Sequence, residues 1–341
     1  MRFMLSLLPI LFLGPPQATA AEHDSWKAFT SANRRVCQGP FDTLKKAQSL
    51  QLGGKKYSHH GYQLRVEKGD ADSKVVIGLV SAIKDVSGGT KNNFRQAAAW
   101  FKQKKVEWVV ANGDLALDEF DLEDVFGLLG ETGLPTLLTI GNSESRASWS
   151  RAYLAAQKEY PNLINGNWVR QVVADDVEFW TLPGYFDKVF LRPGSGCSYD
   201  DKSIESMEKN FKASGKAPVV FVSHGPPRGK GKRALDYILD GKNVGDPRLN
   251  RFIKKNKIAF GLFGHILEAG GNAVGADMNK GIPQKKKVSA LYVNAGALSG
   301  DPWPLNDGRT SWGMAMVVTI ENNRTSYELK RFAQFEDPDD D

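Results

Sequence analysis

The chain has 341 residues, of which 41% are hydrophobic, 25% charged and 10% aromatic. That composition excludes a disordered or fibrous chain and suffices for one large core. The net charge of +6 sits in short clusters at 230–233, 254–257 and 285–287, offset by an acidic tail at 336–341. With no interleaved aromatic residues and no nucleic-acid motif, the clusters read as solvated faces. No nucleic-acid partner is expected, and a phosphate-bearing small molecule or an anionic surface is the partner class the charge leaves.

Residues 1–20 combine Arg2, an apolar run from Phe3 to Leu13 and the ending Ala18-Thr19-Ala20. This pattern predicts a secretory signal peptide cleaved after about Ala20, hence an exported chain, periplasmic or secreted. Pro9, Pro15 and Pro16 keep the run too short for a bilayer, and no later segment is long and apolar enough, so no transmembrane segment is expected. Residues 21–73 form an N-terminal segment, with short helices expected over 24–30, capped by Asp24, and over 41–50, then a half-buried strand over 62–67. His23, His59 and His60 fall in this segment and are expected at the surface. The only cysteines, Cys37 and Cys197, read equally well as a disulfide and as two buried thiols.

From 74 onward strands and helices alternate. The continuous apolar run 75–80 marks a strand buried on both faces. Helix 92–105, strand 106–111, helix 120–129, strand 135–140 and helix 145–160 follow. Antiparallel strands are expected at 170–173 and 177–180, then helix 203–214 and strand 218–223. Asp246-Pro247 opens a helix to 257, strand 258–263 comes next, and only strands remain at 291–294, 314–320 and 327–332. The pattern predicts one α/β domain over 74–335, with parallel central strands and antiparallel edges, before the acidic tail.

Four of these strands end in a polar tip beside a glycine: Gly113-Asp114, Gly141-Asn142, Ser223-His224-Gly225 and Gly264-His265. Ligands of open α/β sheets bind outside the carboxyl ends of the strands, where all four tips fall. Each tip alone reads as a turn or cap residue, but together Asp, Asn, His and His are a set of metal ligands.

In this order and context the tips resemble the calcineurin-like metallophosphoesterase family. The matching pieces are Gly113-Asp114-Leu115-Ala116-Leu117-Asp118, Gly141-Asn142-Ser143-Glu144, Ser223-His224-Gly225-Pro226-Pro227 and Gly264-His265-Ile266-Leu267-Glu268, and the likeness runs from about 74 to 320. It implies an αββα sandwich, two mixed β-sheets flanked by helices. It also implies that 80–84 occupies the place of the first metal motif, where Ala82 and Lys84 replace the family Asp and His. Leu267 stands for the second His of Gly-His-x-His, and Ser143 for the His that assists leaving-group protonation. By the same resemblance one metal keeps only the bridging Asp114, while the other keeps Asp114, Asn142, His224 and His265.

A two-metal centre clamps both attacking and leaving oxygens, and losing an acid/base imidazole removes a further factor of about 10² to 10⁴. The expectation is weak or absent phosphoester hydrolysis, with one divalent transition metal (Zn, Mn or Fe) or none, and with no residue assigned a catalytic role. Lys84 and Arg228, the latter opening the basic loop after His224, are candidate ligand-binding residues. A lysine ammonium about 4 Å from a divalent ion is repelled by roughly 8 kcal/mol at an effective dielectric near 20. Lys84 is therefore expected to lower metal occupancy, to turn away, with Asp85 as a partner, or to have a depressed pKa. Two other readings stay open: an active mononuclear metal-dependent phosphoesterase, and an interaction module with a relic pocket. The stretches 294–296 and 299–304 are expected, from the family likeness alone, to border the pocket.

Overall fold

The computed structural model describes residues 20–336 except Ala71 and Lys216. The expected signal sequence up to Thr19, and the acidic tail beyond Glu336, lie outside the described residues.

Lys74–Val80 is buried from its second residue on, as its unbroken apolar run requires. It pairs in parallel with Trp108–Asn112, which pairs in turn with Thr136–Thr139 and then Leu163–Asn165. On its other side Met314–Glu321 and Arg324–Arg331 add antiparallel, completing a six-stranded sheet. The second sheet has nine strands, with Phe260–Phe263, Val219–Ser223 and Glu178–Leu182 adjacent and parallel at its centre. Leu291–Asn294 extends it on one side and Gln171–Val173 on the other.

Three apolar clusters define the layers. Ile77, Leu79, Trp108 and Val110 of the six-stranded sheet meet Phe179, Val220, Val222 and Leu262 of the other. The outer face of the smaller sheet packs on helices Gly88–Gln103, Glu119–Glu131 and Arg146–Ala156 through Phe94, Phe101, Phe126 and Trp149. The outer face of the larger sheet packs on Asp201–Asn210 and Pro247–Lys255 through Ile204, Met207, Phe221 and Phe252. The order helix, sheet, sheet, helix is the αββα sandwich that the family resemblance implies. Asp246 caps its helix with Pro247 in the first turn, as expected.

The N-terminal segment departs most from expectation. Helix Trp26–Asn33 is capped by Ser25 rather than Asp24. The helix expected over 41–50 is absent: Thr43–Leu44 pairs with Glu22–His23, and Gln48–Leu52 forms a hairpin with Lys55–His60. Gly53 and Gly54, both with positive φ, make the turn, and the strand on either side alternates with period two. With Gln63–Val66 this hairpin continues the nine-stranded sheet, so residues before 74 are built into the same sandwich. The alternation also overturns the surface placement of His59. It points inward, is 3% exposed, lies 4.3 Å from the Trp26 ring and shares a hydrogen bond with the Gly61 carbonyl. Burial pushes its pKa down to about 4.

Cys37 and Cys197 form a disulfide with a Cα–Cα distance of 5.2 Å, which decides between the two cysteine readings. It ties the N-terminal segment to the loop that runs beside the carboxyl ends of the central strands.

Candidate metal centre

Asp114 and Asn142 follow strands of the six-stranded sheet, whereas His224 and His265 follow strands of the nine-stranded one. The cluster therefore spans the seam between the sheets. Buried Asn112 holds that seam closed: its side-chain N–H groups donate to the carbonyls of Ser223 (2.9 Å) and Leu262 (3.3 Å), and its Oδ1 accepts from Thr139 (2.8 Å). Gly113 and Gly141 leave the space the centre needs, since a Cβ at Gly113 would collide with the His224 ring and one at Gly141 with the Asp114 carboxylate.

One ligand atom each of Asp114, His224 and His265 can be chosen so that all three lie within 4.8 Å of one another. The Nδ1 of fully buried His224 bonds the Asn112 carbonyl at 3.0 Å. With that proton donated, Nε2 presents its lone pair toward Asn142 Oδ1 (3.0 Å) and Asp114 Oδ1 (3.3 Å). Asp114 Oδ1 also accepts the backbone N–H groups of Asn142 and Ser143, each at 3.1 Å. Asn142 is aimed by a 2.7 Å bond from its Nδ2 to the Phe190 carbonyl. His265 packs against Tyr185 with ring centroids 3.8 Å apart and the planes tilted by 37°, and its Nδ1 is buried without a partner among the described residues. Such an orphan is what a missing electrophile would satisfy, and the oxygen and imidazole donors suit one divalent transition metal ion.

Asp114 and the two histidines also perturb one another electrostatically. Burial alone would raise the Asp114 carboxyl, but the charge and hydrogen bond of His224, then His265, hold it far below the usual carboxylate range. Burial would lower His224, and Asp114 reverses that and raises it. Burial, with His224 beside it, pushes His265 down to about 3, keeping it neutral as a ligand must be. Asp114 and His265 both sit in the left-handed region, at φ 54° and 64°, strain of about 1–3 kcal/mol each that the surrounding network maintains.

The opposite side of Asp114 is different. Ala82, Leu267 and Ala297, each at most 6% exposed, form an apolar cluster of their own with Trp303 packed against it. Two of these positions, Ala82 and Leu267, are ones that the resemblance gives to the first ion, and their side chains are aliphatic. Lys84 does not pair with Asp85. Its ammonium lies over the Trp303 ring, 4.7 Å from the centroid, while the Asp85 carboxylate accepts the Ser87 N–H. The 299–304 loop borders this half, with Ser299 donating to the Ala82 carbonyl at 3.1 Å. Arg228 Nε donates to the Gly245 carbonyl at 2.7 Å and lies 4.0 Å from Asp236.

Three supporting residues had no role in the sequence reading. Buried Glu144 accepts the N–H groups of Leu115 (2.6 Å) and Gly141 (2.9 Å), pinning both ligand loops; burial, then the Asp114 charge, pushes its pKa up to about 8. Its place in Gly141-Asn142-Ser143-Glu144 was the available signal. Trp303 lies in the 299–304 stretch that the family likeness placed at the pocket's border, whereas Tyr185, a single aromatic residue between elements, carried no signal. Elsewhere, a hollow of about 480 Å³ lined by Lys91, Glu123, Glu131 and Glu159 shares no residue with the cluster. A second acidic group, Asp70, Asp72 and Asp176, is mostly exposed, and Asp70 is paired with Lys55 at 2.8 Å.

Comparison with known proteins agrees with this fold. A dimetal phosphatase from Danio rerio is 11% identical, with a TM-score of 0.51 over 77% of this chain and 97% of that one. A purple acid phosphatase from yellow lupin (Lupinus luteus) seeds is 13% identical, with a TM-score of 0.50 over 81% of this chain and 54% of that one. At such identities the likeness speaks for the fold alone. A search of curated protein sequences found no match. The family model of the calcineurin-like phosphoesterases matches residues 69–269, more than half the sequence and all four ligand tips, and the chain belongs to that family.

Proposed function

We propose that this protein is an exported family member that holds at most one divalent transition metal ion, binds a phosphate-bearing ligand and hydrolyses phosphoesters weakly or not at all. The observation that carries this reading is the filling of one half of the centre by Ala82, Leu267 and Ala297, beside a complete donor set on the other half. When bound, the ion would polarise a phosphoryl oxygen as a Lewis acid. Asp114, Asn142, His224 and His265 would hold it, Tyr185 would keep the His265 ring in place, and Glu144 would fix the two loops that present Asp114 and Asn142. No imidazole stands at Ser143 to protonate a leaving group, and a serine hydroxyl does not do so near neutral pH. Export is supported by the N-terminal sequence pattern and by the Cys37–Cys197 pair, since disulfides persist in oxidising compartments.

The test is elemental analysis of protein purified without chelator, with turnover of generic phosphomonoesters and phosphodiesters measured on the metal-loaded sample. About one metal per chain and negligible turnover are expected. A second reading, an active mononuclear hydrolase, is favoured by the orphaned His265 Nδ1 and the intact ligand set. Robust chelator-sensitive turnover at one metal per chain would establish it in place of the first.

A further inference from the structure

We propose that Lys84 is the anion-receiving group of this pocket. Its ammonium takes a phosphoryl oxygen of a phosphate dianion on the half that lacks metal ligands, and Trp303 is its positioning residue. The inference rests on the reading above that the site binds phosphate, and it names the groups that do so.

Lys84 is tied to the centre through its backbone. Its N–H donates to the Asp114 carbonyl at 3.3 Å, and the residue sits at φ 71°, a left-handed conformation uncommon outside glycine. The side chain leaves this fixed point beside the floor made by Ala82, Leu267 and Ala297. Its ammonium rests on the face of Trp303, which itself packs on that floor.

Three arginines of the surrounding loops are already engaged. Arg228 Nε donates to Gly245, Arg146 Nε donates to the Ser195 carbonyl at 3.2 Å, and Arg192 donates to the Leu117 carbonyl. Lys84 stands in no ion pair or hydrogen bond through its ammonium among the described residues, and the ammonium meets the face of the indole.

A partly desolvated ammonium held only by an aromatic face is poised to exchange that contact for an anion. A cation–π contact is weaker than a charge-assisted hydrogen bond to an anion. A phosphate oxygen displaces the indole from the competition without a change of backbone.

The experiment is calorimetric titration of inorganic phosphate into metal-loaded protein, with metal content measured on each sample. Lys84→Met keeps the apolar stem and removes the charge; affinity should fall about tenfold at unchanged metal content. Lys84→Arg should retain affinity within about threefold. Trp303→Leu should weaken binding about threefold, and Trp303→Phe, which restores a ring face, should recover part of that loss. Phosphate affinity of Lys84→Met within twofold of the parent, at equal metal content, overturns the assignment and leaves the phosphate-binding reading intact. Loss of metal and phosphate together in Lys84→Met also overturns it, because Lys84 would then act on the ligand set. A parent protein that is metal-loaded but indifferent to phosphate overturns the phosphate-binding reading and this assignment with it.

Discussion

On one side of Asp114, Asn142, His224 and His265 present oxygen and nitrogen donors, one of them buried without a partner. On the other, Ala82, Leu267 and Ala297 present only carbon. The backbone does not share this divergence. Ala82 and Lys84 sit at φ 44° and 71°, as unusual as Asp114 at 54° and His265 at 64°. Such conformations cost about 1–3 kcal/mol each and persist only where the surroundings over-determine them. On the apolar side no ligand requires them. What holds them is hydrogen bonding between loops: Ala82 N–H to the Gly113 carbonyl, Ser299 N–H to the Ala82 carbonyl, and Ser81 Oγ to the Asn112 carbonyl at 2.7 Å. The strand-end scaffold is thus maintained by main-chain contacts that are independent of the ions, so side chains on one half can change without unravelling the other.

The comparison breaks most directly at Asp114, which lies against both halves. Asp114→Ala should abolish metal binding, a loss beyond the roughly 10–100-fold seen when only an outer partner of a ligand is removed. Elemental analysis with a competing chelator reads it. Metal retained at the parent stoichiometry would mean that the three other residues suffice and that the donor half is not organised around Asp114.

The split between halves was partly legible in the sequence, and the reasons differ by residue. The four tips were readable because strands buried on both faces appear as unbroken apolar runs, so a terminal Asp, Asn or His stands out. The substitutions at Ala82, Lys84, Ser143 and Leu267 were readable only against a family pattern. Their consequence was not, since the packing of Ala82 on Leu267 and Ala297, and the placement of Lys84 over Trp303, depend on contacts across about 200 residues of sequence. The N-terminal hairpin was hidden by its composition. Lys55–His60, with two lysines and two histidines, does not look like a strand, and only the alternation of its burial reveals one. His59 followed it into error.

A second effect should come from the disulfide, which serves the donor half. The Tyr185 N–H donates to the Cys197 carbonyl and the Tyr199 N–H to that of Tyr185, so the bridged loop sets the ring against which His265 packs. Cys37→Ser with Cys197→Ser should cost about 2–5 kcal/mol, the usual range for a long-range native disulfide. Urea unfolding of metal-free protein measures it. Metal affinity should fall as well, whereas phosphate binding through Lys84 should be spared when ion occupancy is matched. A loss below about 1 kcal/mol would show that the core, not the bridge, holds this loop.

Leu267→Ala addresses the apolar half alone. Leu267 is 6% exposed and one of the cluster's two larger side chains, so truncation should cost about 2–4 kcal/mol by lost burial and a residual cavity. Metal stoichiometry should not change. If it does, the apolar cluster is a structural support for the ligands rather than a separate filling, and the two halves are one unit.

The smallest change asks which half limits chemistry. Ser143 is half-buried and contacts Asp114 through its backbone N–H, which a new side chain leaves in place, and through its side chain, which it does not. Ser143→His should therefore cost about 1–3 kcal/mol, the loss of one hydrogen bond to a charged group. If a single ion on the donor half supports hydrolysis and only proton transfer is missing, this replacement alone should raise turnover by about 10² to 10⁴. If the filled half is the block, turnover should stay near background, because an acid placed beside one ion still leaves the displacement clamped on one side. We expect the second outcome, with a change below about tenfold. Activity should appear only when Ala82→Asp, Lys84→His and Leu267→His are combined with it and the added donors are satisfied by a second ion. Without that ion the same four substitutions bury unpaired polar groups at about 1–3 kcal/mol each. The quadruple variant should consequently melt earlier than its parent in chelator and recover when Mn²⁺ or Zn²⁺ is supplied, a readout that holds even if turnover remains low.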